Sequence, residues 1–219
     1  MAIEIELKAH VQDWEALRRL LFQKAEYLGN FEKEDTYWFH REIPGIPQEG
    51  PSGFPPSGLR VRKEKRNPTG GAGKVSTLIS YKFKEVRDGI EINDEREFEV
   101  IPGRVFEDFL SMTGLEGRRS KRKQGWVFYR EGITAELAEV EGLGWFVELE
   151  ILTDNKEEET LAREKGRLLD FLADLGVGKE AIESRFYSEM LSLLDSSASS
   201  KNSKSSSSSF CSTKLESTL

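Results

Sequence analysis

The chain has 219 residues and a formal net charge of −7, with 32% charged and 37% hydrophobic residues. That length suits one domain, and 13 Phe with 4 Trp supply core material that a disordered chain lacks. The single cysteine, Cys211, excludes a disulfide framework and a zinc-thiolate centre, no apolar run approaches the ~18 residues of a membrane helix, and the overall acidity argues against generic nucleic-acid binding.

The start is charged from Glu4 onward, so no signal peptide is expected, and a reducing cytoplasmic location fits. Ile3, Ile5 and Leu7 alternate with Glu4, Glu6 and Lys8, which predicts a first strand. Trp14, Leu17, Leu20 and Leu21 have helical spacing and predict a helix over 13–28, stopped by Gly29. A strand is predicted over 35–41. The Pro/Gly-rich stretch 44–58 reads as a loop. Strands follow at 59–62, 78–84 and 95–101, with a loop at 67–73 and a turn at Asp88-Gly89. A short helix is predicted over 105–112. A hairpin around Glu131-Gly132 joins 119–130 to 133–140, and 145–151 is the last strand. Two helices are predicted over 156–175 and 179–194. The expected organisation is one domain over 1–194 and a Ser-rich disordered tail over 195–219. About eight strands are enough for a small closed barrel or a strongly bent sheet, an α+β architecture.

Residues two apart in a strand share a face. Glu4, Glu6 and Lys8 therefore lie on one face. So do Arg60 with Arg62, Lys82 with Lys84, Glu95 with Glu97 and Glu99, Lys121 with Lys123, and Glu148 with Glu150. Nearly every strand has one apolar face and one face of strong charge, and the charges segregate by sign. A solvated sheet normally mixes Ser, Thr, Asn and Gln into its outer face; the charged faces of these strands are short of them. A barrel with the charged faces inward and amphipathic helices over its apolar outside accounts for the pattern. Clustered carboxylates take Mg²⁺ or Mn²⁺. Clustered Lys and Arg grip phosphate oxygens. Together they describe a site for a metal-bound polyphosphate.

Glu4-Ile5-Glu6-Leu7-Lys8 resembles the ExExK signature of the CYTH family, the triphosphate tunnel metalloenzymes. That family includes class IV adenylyl cyclases, thiamine triphosphatases and inorganic triphosphatases. Leu59-Arg60-Val61-Arg62, Tyr81-Lys82, Glu95-Arg96-Glu97-Phe98-Glu99, Lys121-Arg122-Lys123 and Gly142-Leu143-Gly144-Trp145-Phe146-Val147-Glu148-Leu149-Glu150 resemble its later strands, in order. The resemblance implies an eight-stranded antiparallel tunnel with a charged lumen, covered by flanking helices. It implies Glu4, Glu6, Glu97, Glu99, Glu148 and Glu150 as metal ligands, with Glu95 on the same side. Lys8, Arg60, Arg62, Lys82, Lys121 and Lys123 would bind substrate, and Glu4, Glu6, Lys8 and Lys82 would be catalytic. The implied cofactor is Mg²⁺ or Mn²⁺. The implied partner is a small-molecule triphosphate: tripolyphosphate, thiamine triphosphate or ATP. A homodimer is compatible with the family, and neither nucleic acid nor membrane is expected.

Hydrolysis ranks first among the implied activities because it needs neither ribose recognition nor a base. Cyclisation of ATP to cyclic AMP and pyrophosphate is the alternative, and a binding module with a weakened metal site is a further one. Two residues depart from the family pattern. Lys123 stands where Arg is usual. Ala138 stands where an acidic residue is usual, with Glu136 or Glu139 as a substitute, of which Glu136 shares its strand face. Gly70-Gly71-Ala72-Gly73-Lys74 lacks phosphate-loop spacing and reads as a hairpin.

Overall fold

The alternation at the N-terminus folds as read. Strand β1, Ile3–His10, turns Ile3, Ile5, Leu7 and Ala9 into an apolar cluster and Glu4, Glu6 and Lys8 the other way. The computed structural model describes residues 3–40, 59–87 and 89–194, and excludes the side chains of 40, 82–85, 118 and 119. The predicted loop 44–58 and tail 195–219 lie outside the described residues. Within the first 184 residues the elements after β1 are α1 (Trp14–Lys24), β2 (Glu26–His40), β3 (Leu59–Pro68), β4 (Lys74–Arg87), β5 (Ile90–Glu99), α2 (Gly103–Met112), β6 (Leu115–Arg130), β7 (Ile133–Val140), β8 (Gly144–Thr153) and α3 (Glu158–Asp174).

All eight described strands close into one antiparallel barrel in the order β1-β5-β4-β3-β2-β6-β7-β8. Closure leaves no exposed sheet edge. Helices cover the apolar outside in two places. Leu17 and Leu21 of α1, with Leu161, Leu168, Phe171 and Leu172 of α3, pack on Leu7, Leu137, Val147 and Leu149. Each such side chain contributes roughly 1.5–3 kcal/mol on burial. Leu110 and Phe106 of α2 pack on Trp38, Val61 and Ile79. Trp14, Trp126 and Trp145 stack within 4.5–5.7 Å on the outside, with Arg18 over two of the rings.

Several predicted boundaries move, and β3, β4, β5 and β6 all extend beyond their predicted ranges. The first helix stops at Lys24, four residues early, and 26–34 joins β2 instead. Gly29 therefore lies within a strand and not at a helix end. Its φ of 139° marks an irregularity in the β2–β6 ladder, and a Cβ there would meet the Asn67 carbonyl oxygen at 2.3 Å. The predicted helix over 179–194 is instead one 3-10 turn at Lys179–Ala181, a bridge from Ile182 to Ala9, and a helix over 187–194. That last helix belongs to a second compact unit beginning at Arg185. Its start is capped by Glu189, which accepts from the Phe186 amide at 2.9 Å. The glycine-rich 70–73 is the β3–β4 turn, as expected. Among the described residues no helix is long and apolar enough to cross a membrane.

Candidate active site

The strand order sorts the lumen by charge. Four consecutive strands, β4, β3, β2 and β6, carry the inward positions Lys82, Arg60, Arg62, Lys33, Lys121 and Lys123. The other four, β7, β8, β1 and β5, carry Glu136, Glu148, Glu150, Glu4, Glu6, Glu91 and Glu95. Lys8, Asp35 and Glu64 are minority charges within each half. Opposite charges meet both between neighbouring strands and, for Lys123–Glu148, Lys33–Glu136 and Arg60–Glu95, across one intervening strand. Lys123 donates to Glu136 at 2.8 Å and to Glu148 at 2.5 Å. Lys33 donates to Glu136 at 2.5 Å and lies 3.7 Å from Glu64. Arg62 donates twice to Asp35, which also holds Lys121 at 3.0 Å. Lys8 donates to Glu91 at 2.6 Å, and Arg60 to Glu95 at 2.8 Å and Glu97 at 3.3 Å.

These contacts set the protonation states. Burial alone would raise the Asp35 carboxyl, but Arg62 and Lys121 outweigh it and hold it well below the usual carboxylate range. Burial also works against Glu136, and Lys123 and Lys33 pull it well below that range in turn. For Glu148 burial acts upward and Lys123 outweighs it, with Glu6 and Glu136 pushing upward from nearby. Burial, with Lys123 and Arg62 nearby, brings the Lys33 ammonium down to about 8 against the pull of Glu136. Burial would lower Lys123 too, but Glu136 and Glu148 raise it instead.

The structure brings together Glu4, Glu6 and Lys8 of β1 with Glu148 and Glu150 of β8; Glu6 faces Glu150 and Lys8 faces Glu148 in register. Lys82 is placed by its backbone, opposite Glu95. Glu97 and Glu99 fall elsewhere. On β5 the residues opposite Glu4 and Glu6 are Asn93 and Glu91. Glu97 stands three residues past the last pairing with β1, about 10 Å along the strand. Glu99 pairs with Lys74 at 2.8 Å. The sequence reading also missed Lys33, Asp35, Glu64 and Asn93, all buried and inward. Ala138 packs with Phe31 and Val127 as an apolar cluster inside the barrel.

Among the described residues no three acidic, histidine or cysteine side chains converge on one point. The donor chemistry of Glu6, Glu148 and Glu150 nonetheless fits a hard divalent cation, since all three are carboxylates on two adjacent strands. Lys123 Nζ now supplies positive charge to Glu148 from inside the lumen.

No family model matches the chain, and no curated protein sequence matches it. Solved structures do. The PH1819 protein of Pyrococcus horikoshii OT3 has a TM-score of 0.68 at 25% identity, over 86% of this chain and 97% of its own. A candidate adenylate cyclase from Vibrio parahaemolyticus has a TM-score of 0.67 at 22% identity, over 87% and 98%. HpAC1 from Hippeastrum, a candidate adenylyl cyclase with a dominant triphosphatase activity, has 0.56 at 18% identity, over 84% and 91%. The chain shares the closed eight-stranded antiparallel barrel fold of these structures. In this barrel Glu4, Glu6 and Lys8 lie on β1, and Glu148 and Glu150 lie on β8 next to it.

Proposed function

We propose that the protein is a divalent-metal-dependent triphosphatase that binds its substrate inside the barrel. The observation that carries this reading is the division of the lumen into a basic and an acidic half. A polyanion needs concentrated positive charge, and buried Arg62, Lys33, Lys121 and Lys123 supply it in a low-dielectric space where it acts strongly. Arg60 offers a forked donor to phosphate oxygens, Arg62 offers the Nη donors that Asp35 leaves free, and Lys8 and Lys82 add point charges. Glu4, Glu6, Glu148 and Glu150 would hold Mg²⁺ or Mn²⁺, which supplies Lewis-acid charge at the phosphate oxygens when bound. Asp35 keeps the Arg62 fork oriented before substrate arrives. Water is the proposed nucleophile, because hydrolysis asks for no ribose hydroxyl to be seated.

Purified protein is to be incubated with Mg²⁺ or Mn²⁺ and, separately, tripolyphosphate, thiamine triphosphate and ATP, and the products resolved. Metal-dependent orthophosphate release is expected. Cyclic AMP with pyrophosphate would replace hydrolysis by cyclisation. Tight binding with no turnover under either metal would make the protein a binding module.

A further inference from the structure

Asn93 is wholly buried on β5, at 0% exposure, yet neither its Nδ2 nor its Oδ1 has a hydrogen-bond partner among the described residues. Register places it on the lumen face, opposite Glu4. Its neighbours in sequence confirm that orientation, because Ile92 packs outward on the apolar cluster. Buried polar groups are nearly always paired, so an amide orphaned at both ends calls for a partner that arrives later. Ser80 is a second such group. Its Oγ is buried and unpartnered among the described residues, and it lies beside Arg60 in register.

The two orphans make different demands. A hydroxyl such as that of Ser80 is satisfied by donating to a phosphate oxygen. The Asn93 amide both donates and accepts, and an ionised phosphate offers acceptors alone. A ligand group with an O–H or N–H beside an acceptor satisfies both ends. We propose that Asn93 binds the organic part of an organic triphosphate through a paired donor and acceptor on that part. The assignment rests on the triphosphate reading above and names its substrate class. In register Asn93 stands opposite Glu4 on β1 and Lys84 on β4, and the nearby Glu91 carboxylate is already bonded to Lys8 at 2.6 Å.

The test is titration calorimetry of the full chain with ATP, thiamine triphosphate and tripolyphosphate, with EDTA present to stop turnover. In Asn93→Leu the affinity for ATP or for thiamine triphosphate should fall about tenfold relative to that for tripolyphosphate, as lost hydrogen bonds of this kind predict. The organic ligand that loses affinity identifies the organic group. The melting temperature of the free variant should hold or rise, since two unsatisfied atoms leave the interior. Asn93→Ala, which adds no bulk, should show the same selectivity. Unchanged ratios in both variants would mean that water satisfies the amide, and would overturn the assignment. So would a lower melting temperature in both with unchanged ratios, which would make Asn93 structural. If the parent binds tripolyphosphate and the ratios hold, the triphosphate reading survives alone. If the parent binds none of the three either with EDTA or with Mg²⁺, both fall.

Discussion

Asp35 accepts both prongs of the Arg62 guanidinium, at 2.7 and 2.9 Å, with its own side chain at 0% exposure. Breaking such a pair from one side strands a buried charge. Asp35→Ala leaves Arg62 and Lys121 without their shared carboxylate. It should lose about 3 kcal/mol of stability by urea unfolding. A loss near zero would mean that Arg62 finds another anion inside the lumen.

Acid should unfold the protein through the same carboxylates. Asp35, Glu136 and Glu148 all titrate lower when folded than when unfolded. Groups of that kind add stability above the unfolded value, about pH 4. The contribution is lost as pH falls from there toward the folded values. Melting temperature should be flat from pH 7 to 5 and should drop below 4. In Glu136→Gln the drop should be shallower.

Lys33 behaves in the opposite sense. Its folded value of about 8 lies below the ordinary 10.5, so the unfolded chain holds the proton more tightly. Its contribution to stability therefore improves as pH rises from about 8 to the unfolded value. Polyphosphate affinity should move the other way, because the charge on Lys33 disappears over the same range. Tripolyphosphate affinity is expected to weaken as pH rises through 8, and Lys33→Arg should remove that part of the decline. Identical pH profiles for parent and variant would exclude Lys33 from phosphate binding.

Glu6 and Glu148 test the metal. Glu6→Gln and Glu148→Gln keep size and remove charge. Each should lower turnover with Mg²⁺ or Mn²⁺ about 100-fold, in the range found when one preorganised electrostatic group is removed. Circular dichroism should remain that of the parent in Glu6→Gln, since Glu6 is half-buried and the substitution keeps its size. Full activity in both variants would refute the carboxylate site.

Ala138 gives a stability prediction. The family pattern suggests that Asp at this position would add a metal ligand. The structure sets Ala138 between Phe31 and Val127, at 0% exposure. A carboxylate there would be buried against apolar groups, so Ala138→Asp should lose roughly 2 kcal/mol. Thermal melts of parent and variant decide this, and a more stable variant would show that Lys33 or Lys123 reaches the new charge.

The barrel was legible where its two faces differ in kind. β1, β7 and β8 have apolar outer faces under α1 and α3, so parity alone separates lumen from exterior. β2 gives no such signal. Glu32 and Glu34 on its outside bond Lys65 and Arg122, while Lys33 and Asp35 face inward. Both faces are charged, among the described residues no helix packs on that stretch, and so Lys33 and Asp35 could not be assigned. The offset of Glu97 and Glu99 from Glu4 and Glu6 was not legible for another reason. Parity gave their face correctly, but register along a strand is set by pairing partners that composition does not reveal. Asn93 was invisible in the sequence because one amide among Glu91, Asp94 and Glu95 carries no pattern.

β1 is bonded on one side to β5 and on the other to β8, so Ile3 sits opposite Thr153. The first strand cannot acquire its second neighbour until almost all of the barrel exists. Closure is thus the last and most sequence-distant event of folding, with kinetics expected on the order of milliseconds to seconds or slower. Earlier still, before β8 pairs with β7, Lys123 lacks Glu148, which arrives on the last strand. Unfolded and half-folded chains therefore carry uncompensated cations that a polyanion can bind early, and the ligand of the finished tunnel becomes a candidate accelerator of its assembly.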